Sequence, residues 1–91
     1  MPDRADFIAR TMMERLRAQE AWDASTTPTV RLNRAREVVA KLLAVELGVV
    51  DERTLQRVTD GIPTTSPRSE LLERDRALLA QLLRHVIPAL G

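Results

Sequence analysis

Apolar residues recur every three or four positions along most of this chain, the spacing that places them on one face of an α-helix. No segment shows the apolar and polar alternation of a β-strand. The pattern predicts four helices, over about residues 4–22, 30–47, 52–60 and 67–87. We therefore expect an all-α fold, a small orthogonal or up-down bundle of three long helices and one short helix, in which residues 1–91 form a single domain. The first helix should bury the face formed by Ala5, Ile8, Ala9, Met12, Met13 and Leu16.

Residues that cap helices locate the expected helix starts. Asp3 and Asp51 are typical N-cap residues for the first and third helices, and Thr29 is the expected N-cap of the second. Ser66 followed by Pro67 predicts the start of the fourth helix, because proline at the first helical position needs no amide partner.

Two glycines and one proline mark the expected helix ends. Gly48 and Gly61 follow the second and third helices, and glycine is frequent at the position just after a helix end. Pro88 lacks an amide hydrogen and should loosen or stop the last turn of the fourth helix.

The fourth helix carries more apolar surface than one neighbouring helix can cover. Its apolar residues span about half of the circumference, whereas a surface helix needs an arc of roughly 100°. The surplus predicts a second contact surface, supplied either by the first and second helices on its flanks or by the same helix of another subunit. The residues concerned are Leu71, Leu72, Leu78, Leu79, Leu82, Leu83, Val86, Ile87 and Leu90.

Phe7 and Trp22, the only aromatic residues, share a second and weaker apolar stripe on the first helix. They could close the edge of the core or face a partner, since aromatic side chains are enriched among interface anchors. Together with the surplus on the fourth helix, they give a candidate partner interface composed of Phe7, Trp22, Leu72, Leu79, Leu83, Val86 and Ile87.

The composition argues against several classes of function. Fourteen basic residues against thirteen acidic ones give a net charge of +1, which lacks the basic excess of proteins that neutralise phosphates. The absence of cysteine excludes disulfides, thiolate nucleophiles and cysteine-bound metals.

No apolar run is long enough to span a bilayer, and the first residues lack the order of a signal peptide. We expect a cytoplasmic protein, with no membrane association and no cofactor. Because all basic residues but one are arginine, a GC-rich bacterial source is expected.

Few residues suggest catalysis. His85 is the only histidine and has no carboxylate at a metal-binding helical spacing. Glu46 and Asp75 fall within apolar arcs, so each should meet an arginine or reach solvent at a helix end. We therefore expect neither an enzyme nor a metal site. A polar site inside the bundle would have to draw on Arg10, Arg17, Arg34, Glu46 and Arg84, whose spacing equally fits a solvated face.

Residues 43–61 resemble the helix-turn-helix of the Cro/C1-type repressor family. The residues that match in type are Ala44, Leu47, Gly48, Val49, Thr54, Leu55, Arg57 and Gly61. The chain has one residue more than that pattern between Gly48 and Thr54. The resemblance implies that Arg53, Thr54, Gln56 and Arg57 face the major groove of DNA, with Arg31, Arg34 and Arg36 near phosphates.

These observations lead to two main functional hypotheses. The first is a small protein–protein interaction module, an oligomerising regulator, adaptor or accessory subunit that acts through apolar helix surface and is expected to form a homodimer. The alternative is a helix-turn-helix transcriptional regulator that uses residues 43–61. A compact helical enzyme or small-ligand binder is a third hypothesis, and a polar cavity lined by arginines would favour it.

Overall fold

The computed structural model describes residues 3–18, 27–62 and 73–90. Four helices occupy these ranges, and the all-α prediction is confirmed. They are α1 (Arg4–Arg17), α2 (Pro28–Leu47), α3 (Glu52–Asp60) and α4 (Glu73–Val86), and a short 3-10 turn follows at Pro88–Leu90.

Helix α1 starts at the predicted residue. The carboxylate of Asp3 accepts a hydrogen bond from the backbone N–H of Asp6 at 2.9 Å, which confirms Asp3 as the N-cap. The six residues predicted to form its inner face are all buried. Described α1 ends at Arg17, and the predicted end at residue 22 lies outside the described residues.

Helix α2 begins two residues earlier than predicted. Its N-cap is Thr27, whose hydroxyl accepts from the N–H of Val30 at 3.3 Å, so the assignment of Thr29 as the cap was wrong. Pro28 explains the difference, because its ring suits the first helical position while it keeps Thr27 in an extended conformation.

The end of α2 is a left-handed glycine turn. Gly48 has a φ of 67°, and its N–H donates to the carbonyl of Ala44 at 3.0 Å. The N–H of Val49 donates to the carbonyl of Leu43 at 3.1 Å. These two bonds satisfy the last carbonyls of the helix and confirm the role predicted for Gly48.

Helix α3 has the predicted bounds, with Asp51 accepting from the N–H of Thr54 at 2.7 Å and Gly61 following its last residue. The predicted start of α4 at Ser66 and Pro67 lies outside the described residues. Described α4 ends at Val86, one residue before the predicted end.

Helix α1 lies antiparallel to both α2 and α4. Arg4, at the start of α1, donates to the backbone carbonyl of Glu46 near the end of α2 at 2.7 Å. Asp3 accepts from Arg84 near the end of α4 at 2.7 Å. Helix α3 packs on α2 and α4, so the described helices share one core. Its largest fully buried apolar side chains are Ile8, Met12, Leu16, Val39, Leu42, Leu43, Val58 and Leu83.

Helices α3 and α4 meet closely at Gly61. A Cβ atom at this position would collide with the Cδ2 atom of Leu82, so the contact depends on the missing side chain. Helix α4 packs mainly on α1 and α3, whereas the sequence pattern predicted either α1 and α2 or a second subunit as its neighbours.

Candidate functional site

The core of a single chain already covers much of the predicted partner interface on α4. Leu79, Leu83 and Ile87 are buried among the core residues, and Val86 is half-buried against them. These side chains therefore contribute to the packing of α4 against α1 and α3, and their predicted role in a partner interface stays a prediction.

Leu78 is the large apolar residue that α4 leaves uncovered, with 55% of its surface exposed. Leu82 and Val86 follow it at intervals of four residues, so the three side chains form a strip that passes from solvent into the core. We call these three residues the α4 strip. It is the part of α4 that a partner could still contact.

The other predicted interface residues are dispersed or lie outside the described ranges. Phe7 is 52% exposed on the side of α1 that faces away from the core. Trp22 and Leu72 are not among the described residues. Phe7 is therefore a single exposed aromatic side chain rather than part of a described patch.

Helix α3 presents three of the four residues predicted to read DNA. Arg53, Gln56 and Arg57 are exposed on its outer face. Thr54 is half-buried, and its hydroxyl donates to the carboxylate of Asp51 at 2.7 Å. Because that hydroxyl completes the helix cap, Thr54 is the least accessible of the four.

A polar network ties this face of α3 to α2. Gln56 donates to Asp60 at 2.7 Å and accepts from Arg36 at 3.4 Å. Arg36 is thus the basic residue of α2 that adjoins the α3 face, whereas Arg34 pairs with Glu37 at 3.1 Å and Arg31 is buried. The structure therefore does not gather the three α2 arginines predicted to lie near phosphates.

Acidic residues reduce the positive potential of the same region. Glu52 and Asp60 lie on α3, and Asp51 caps it. The hydroxyl and then the backbone N–H of Thr54 hold the pKa of Asp51 below its ordinary value of 3.8. Asp51 is therefore ionised at neutral pH, and the surface carries both signs of charge.

A network of ion pairs joins α1 to α4. Arg84 donates to Asp3 at 2.7 and 3.0 Å and to Asp6 at 3.1 Å. Arg76 pairs with Asp6 at 3.5 Å and also with Glu73. The backbone N–H of Asp6 and then the guanidinium of Arg84 lower the pKa of Asp3. These pairs connect the N-terminal turn of α1 to Arg76 near the start of described α4 and to Arg84 near its end.

A groove of about 200 Å³ runs beside this network. The hydrogen bond from Arg76 lowers the pKa of Glu73, and the positive charges of Arg10 and Arg17 lower it further. We call this site the α1–α4 groove. It is lined by Arg10, Met13, Glu14, Arg17, Glu73 and Arg76.

The charged residues considered for a polar site inside the bundle do not converge. Arg10 and Arg17 line the α1–α4 groove, but Glu46 pairs with Arg4 at 3.6 Å near the other end of α1. The remaining two arginines form the separate pairs described above. Glu46 thus meets an arginine, as expected for a carboxylate within an apolar arc.

The described residues contain no group of three or more histidine or carboxylate side chains that could hold a metal ion. His85 is exposed on α4. Asp75, which is largely covered, pairs with its neighbour Arg74 at 3.8 Å. The geometry of these residues is that of a helix surface with local ion pairs.

None of the helices in the described ranges combines the length and apolar character needed to cross a membrane. No family model, curated protein or solved structure matches this chain. Its function is therefore inferred from the surfaces of the described helices.

Proposed function

We propose that the protein is a small helical interaction module that associates with a second copy of itself along the α4 strip. The observation that carries this proposal is the 55% exposure of Leu78 in the middle of a helix whose other described leucines pack inward. An exposed leucine at that position gives a helix surface an apolar centre.

The surroundings of Leu78 support this proposal. Gln81 and His85 are exposed on the same side of α4, and Leu82 extends the apolar surface toward α3. An apolar centre with a polar rim is the usual anatomy of a protein interface. In a dimer with a two-fold axis, Leu78 of each copy packs against the α4 strip of the other copy. Two exposed leucines are therefore buried in one interface. The strip is short, so we expect weak association, with a dissociation constant of micromolar order.

Sedimentation velocity over a range of concentrations tests this proposal. We expect the wild type to shift toward the mass of a dimer and Leu78→Glu to stay a monomer with an unchanged helical circular dichroism spectrum. Val45→Glu is the matched control, since Val45 is 71% exposed near the end of α2, away from the strip. A wild type that stays monomeric at the highest concentration, or equal loss of dimer in the two variants, would refute the proposal.

A second candidate function is sequence-specific DNA binding through α3. The observation that favours it is the exposure of Arg53, Gln56 and Arg57 on one face, after a tight turn that begins at Gly48. Arginine and glutamine are side chains that hydrogen-bond to base edges in the major groove. The acidic residues around α3 weaken this candidate relative to the first.

A gel shift at low salt, with the DNA upstream of the coding sequence, tests the second candidate. If it holds, Arg53→Ala and Arg57→Ala should each weaken binding by about 1–3 kcal/mol. Arg74→Ala is the control, because it removes an exposed arginine from α4, outside the predicted DNA-reading face. Absence of a shift, or an equal effect of all three substitutions, would exclude this use of α3.

A further inference from the structure

The α1–α4 groove surrounds one carboxylate with three guanidinium groups. Arg10 and Arg17 come from α1, and Arg76 comes from α4, where it pairs with Glu73. Glu14 is the second acid among the described residues that line the groove, and Asp6 pairs with Arg76 beside it, so the described charges are three positive and three negative. Displacement of Glu73 would therefore leave a local positive excess of one, although the whole chain is close to neutral.

Arg76 is fixed in position at the base of this groove. Its side chain is only 20% exposed, and Asp6 holds one end of the guanidinium at 3.5 Å. Its Nε and Nη2 atoms both face Oε1 of Glu73. That edge of a guanidinium is the one that binds two oxygens of a carboxylate or phosphate group.

Glu73 occupies this edge from the solvent side. Its side chain is 78% exposed, so few contacts other than the pair with Arg76 hold it in place. An exposed pair of this kind contributes little to folding stability. The carboxylate can therefore leave the edge at small cost when another anion arrives.

Arg10 supplies a donor that the described structure does not use. It is exposed, and it donates no hydrogen bond to any residue in the described ranges, while its charge still reaches Glu73. Arginine offers five N–H donors in a rigid fork. Its guanidinium group can therefore donate hydrogen bonds to an anion that is bound at the Nε–Nη2 edge of Arg76.

We propose that the α1–α4 groove binds a small multivalent oxyanion of the phosphate class, which displaces Glu73 and is held by Arg10, Arg17 and Arg76. The volume of about 200 Å³ fits a small anion better than a drug-sized ligand, for which pockets of roughly 300–1,000 Å³ are usual. The ligand has to carry more than one charge, because it competes with a carboxylate that the chain keeps at high local concentration.

Titration calorimetry with sodium pyrophosphate, at ionic strength matched with sodium chloride and without divalent cations, tests the proposal. We expect saturable binding to the wild type. Arg10→Gln should weaken it about fivefold or more, because a charge-assisted donor is lost. Glu73→Gln should tighten it by a similar factor, since the competing negative charge is removed. Both changes affect exposed side chains, and circular dichroism verifies that the variants fold.

Arg53→Gln removes an exposed arginine of α3 that does not line the groove, so this variant is the matched control and should bind pyrophosphate like the wild type. An increase in affinity on removing Glu73 distinguishes a site from general attraction to a positive surface. Absence of binding, weaker binding by Glu73→Gln, or equal loss in Arg10→Gln and Arg53→Gln would overturn the proposal.

Discussion

Leu78 and Leu79 are neighbours in the sequence, yet Leu78 is largely exposed and Leu79 retains only 3% of its accessible surface. A helix turns by about 100° per residue, so consecutive side chains point in different directions. The sequence pattern assigns both to one broad apolar arc. Which part of that arc becomes core depends on where α1 and α3 pack. The spacing of apolar residues along α4 does not specify the positions of these neighbouring helices.

This difference predicts unequal effects of the same substitution. Leu79→Ala should lower the free energy of unfolding by about 2–5 kcal/mol, because it leaves a cavity in a close-packed core. Leu78→Ala should lower it by less than about 1 kcal/mol in the monomer, since no cavity forms. Urea unfolding at a protein concentration below that of self-association measures both values. Equal losses would contradict the burial of Leu79 in the core of one chain.

Helix ends were largely predictable because caps are local. Asp3, Asp51 and Gly48 act within four residues of their own positions, and the structure confirms all three. The choice between Thr27 and Thr29 was missed because two threonines flank one proline and either can cap a helix.

The order of charged residues along α1 and α4 is consistent with their antiparallel pairing. One flank of α1 begins with acids and continues with Arg10, while α4 begins with Glu73 and carries Arg84 near its end. An antiparallel arrangement places opposite charges together, as the ion pairs between the two helices show. Such complementarity becomes visible only when the two helices are assumed to be neighbours. The apolar pattern offered α1 as one possible neighbour of α4 but gave no relative direction for the two helices, so the α1–α4 groove was not predicted.

The N-cap residue Asp51 should stabilise α3 enough for its loss to be measured in the free energy of unfolding. This helix has nine residues, and its cap satisfies the N–H and the hydroxyl of Thr54. Asp51→Ala should lower the free energy of unfolding by about 0.5–2 kcal/mol, whereas Asp51→Asn should retain most of it because asparagine also caps helices. Urea unfolding followed by circular dichroism compares the three proteins. An Asp51→Ala variant as stable as the wild type would show that the cap is dispensable.

At the scale of the whole molecule, the capping and paired carboxylates make the fold sensitive to acid. Hydrogen bonds and guanidinium groups lower the folded-state pKa values of Asp3, Asp51 and Glu73 below the ordinary values of 3.8 for aspartate and 4.5 for glutamate. The unfolded chain therefore binds protons first as the pH falls. The stability from these groups is complete above the ordinary values and is lost as the pH falls through the lowered ones.

We expect the free energy of unfolding to be nearly constant between about pH 7 and pH 5 and to fall below about pH 4.5. Asp3→Asn keeps a capping side chain but removes the charge that meets Arg84. The variant should be less stable than the wild type at neutral pH, and the difference should shrink in acid as Asp3 becomes protonated. Urea unfolding at several pH values measures this. A difference that stays constant with pH would mean that the charge of Asp3 does not contribute.

The antiparallel contact between Asp3 and Arg84 also determines how the molecule would respond to a pulling force. Because the start of α1 lies beside the end of α4, a force that separates these two points loads their ion pair first and then peels one helix from the other, turn by turn. Contacts opened one after another resist less force than contacts sheared together. We therefore expect the bundle to unfold at a lower force when it is pulled between these two helix ends than when α1 and α4 are pulled past each other along their axes.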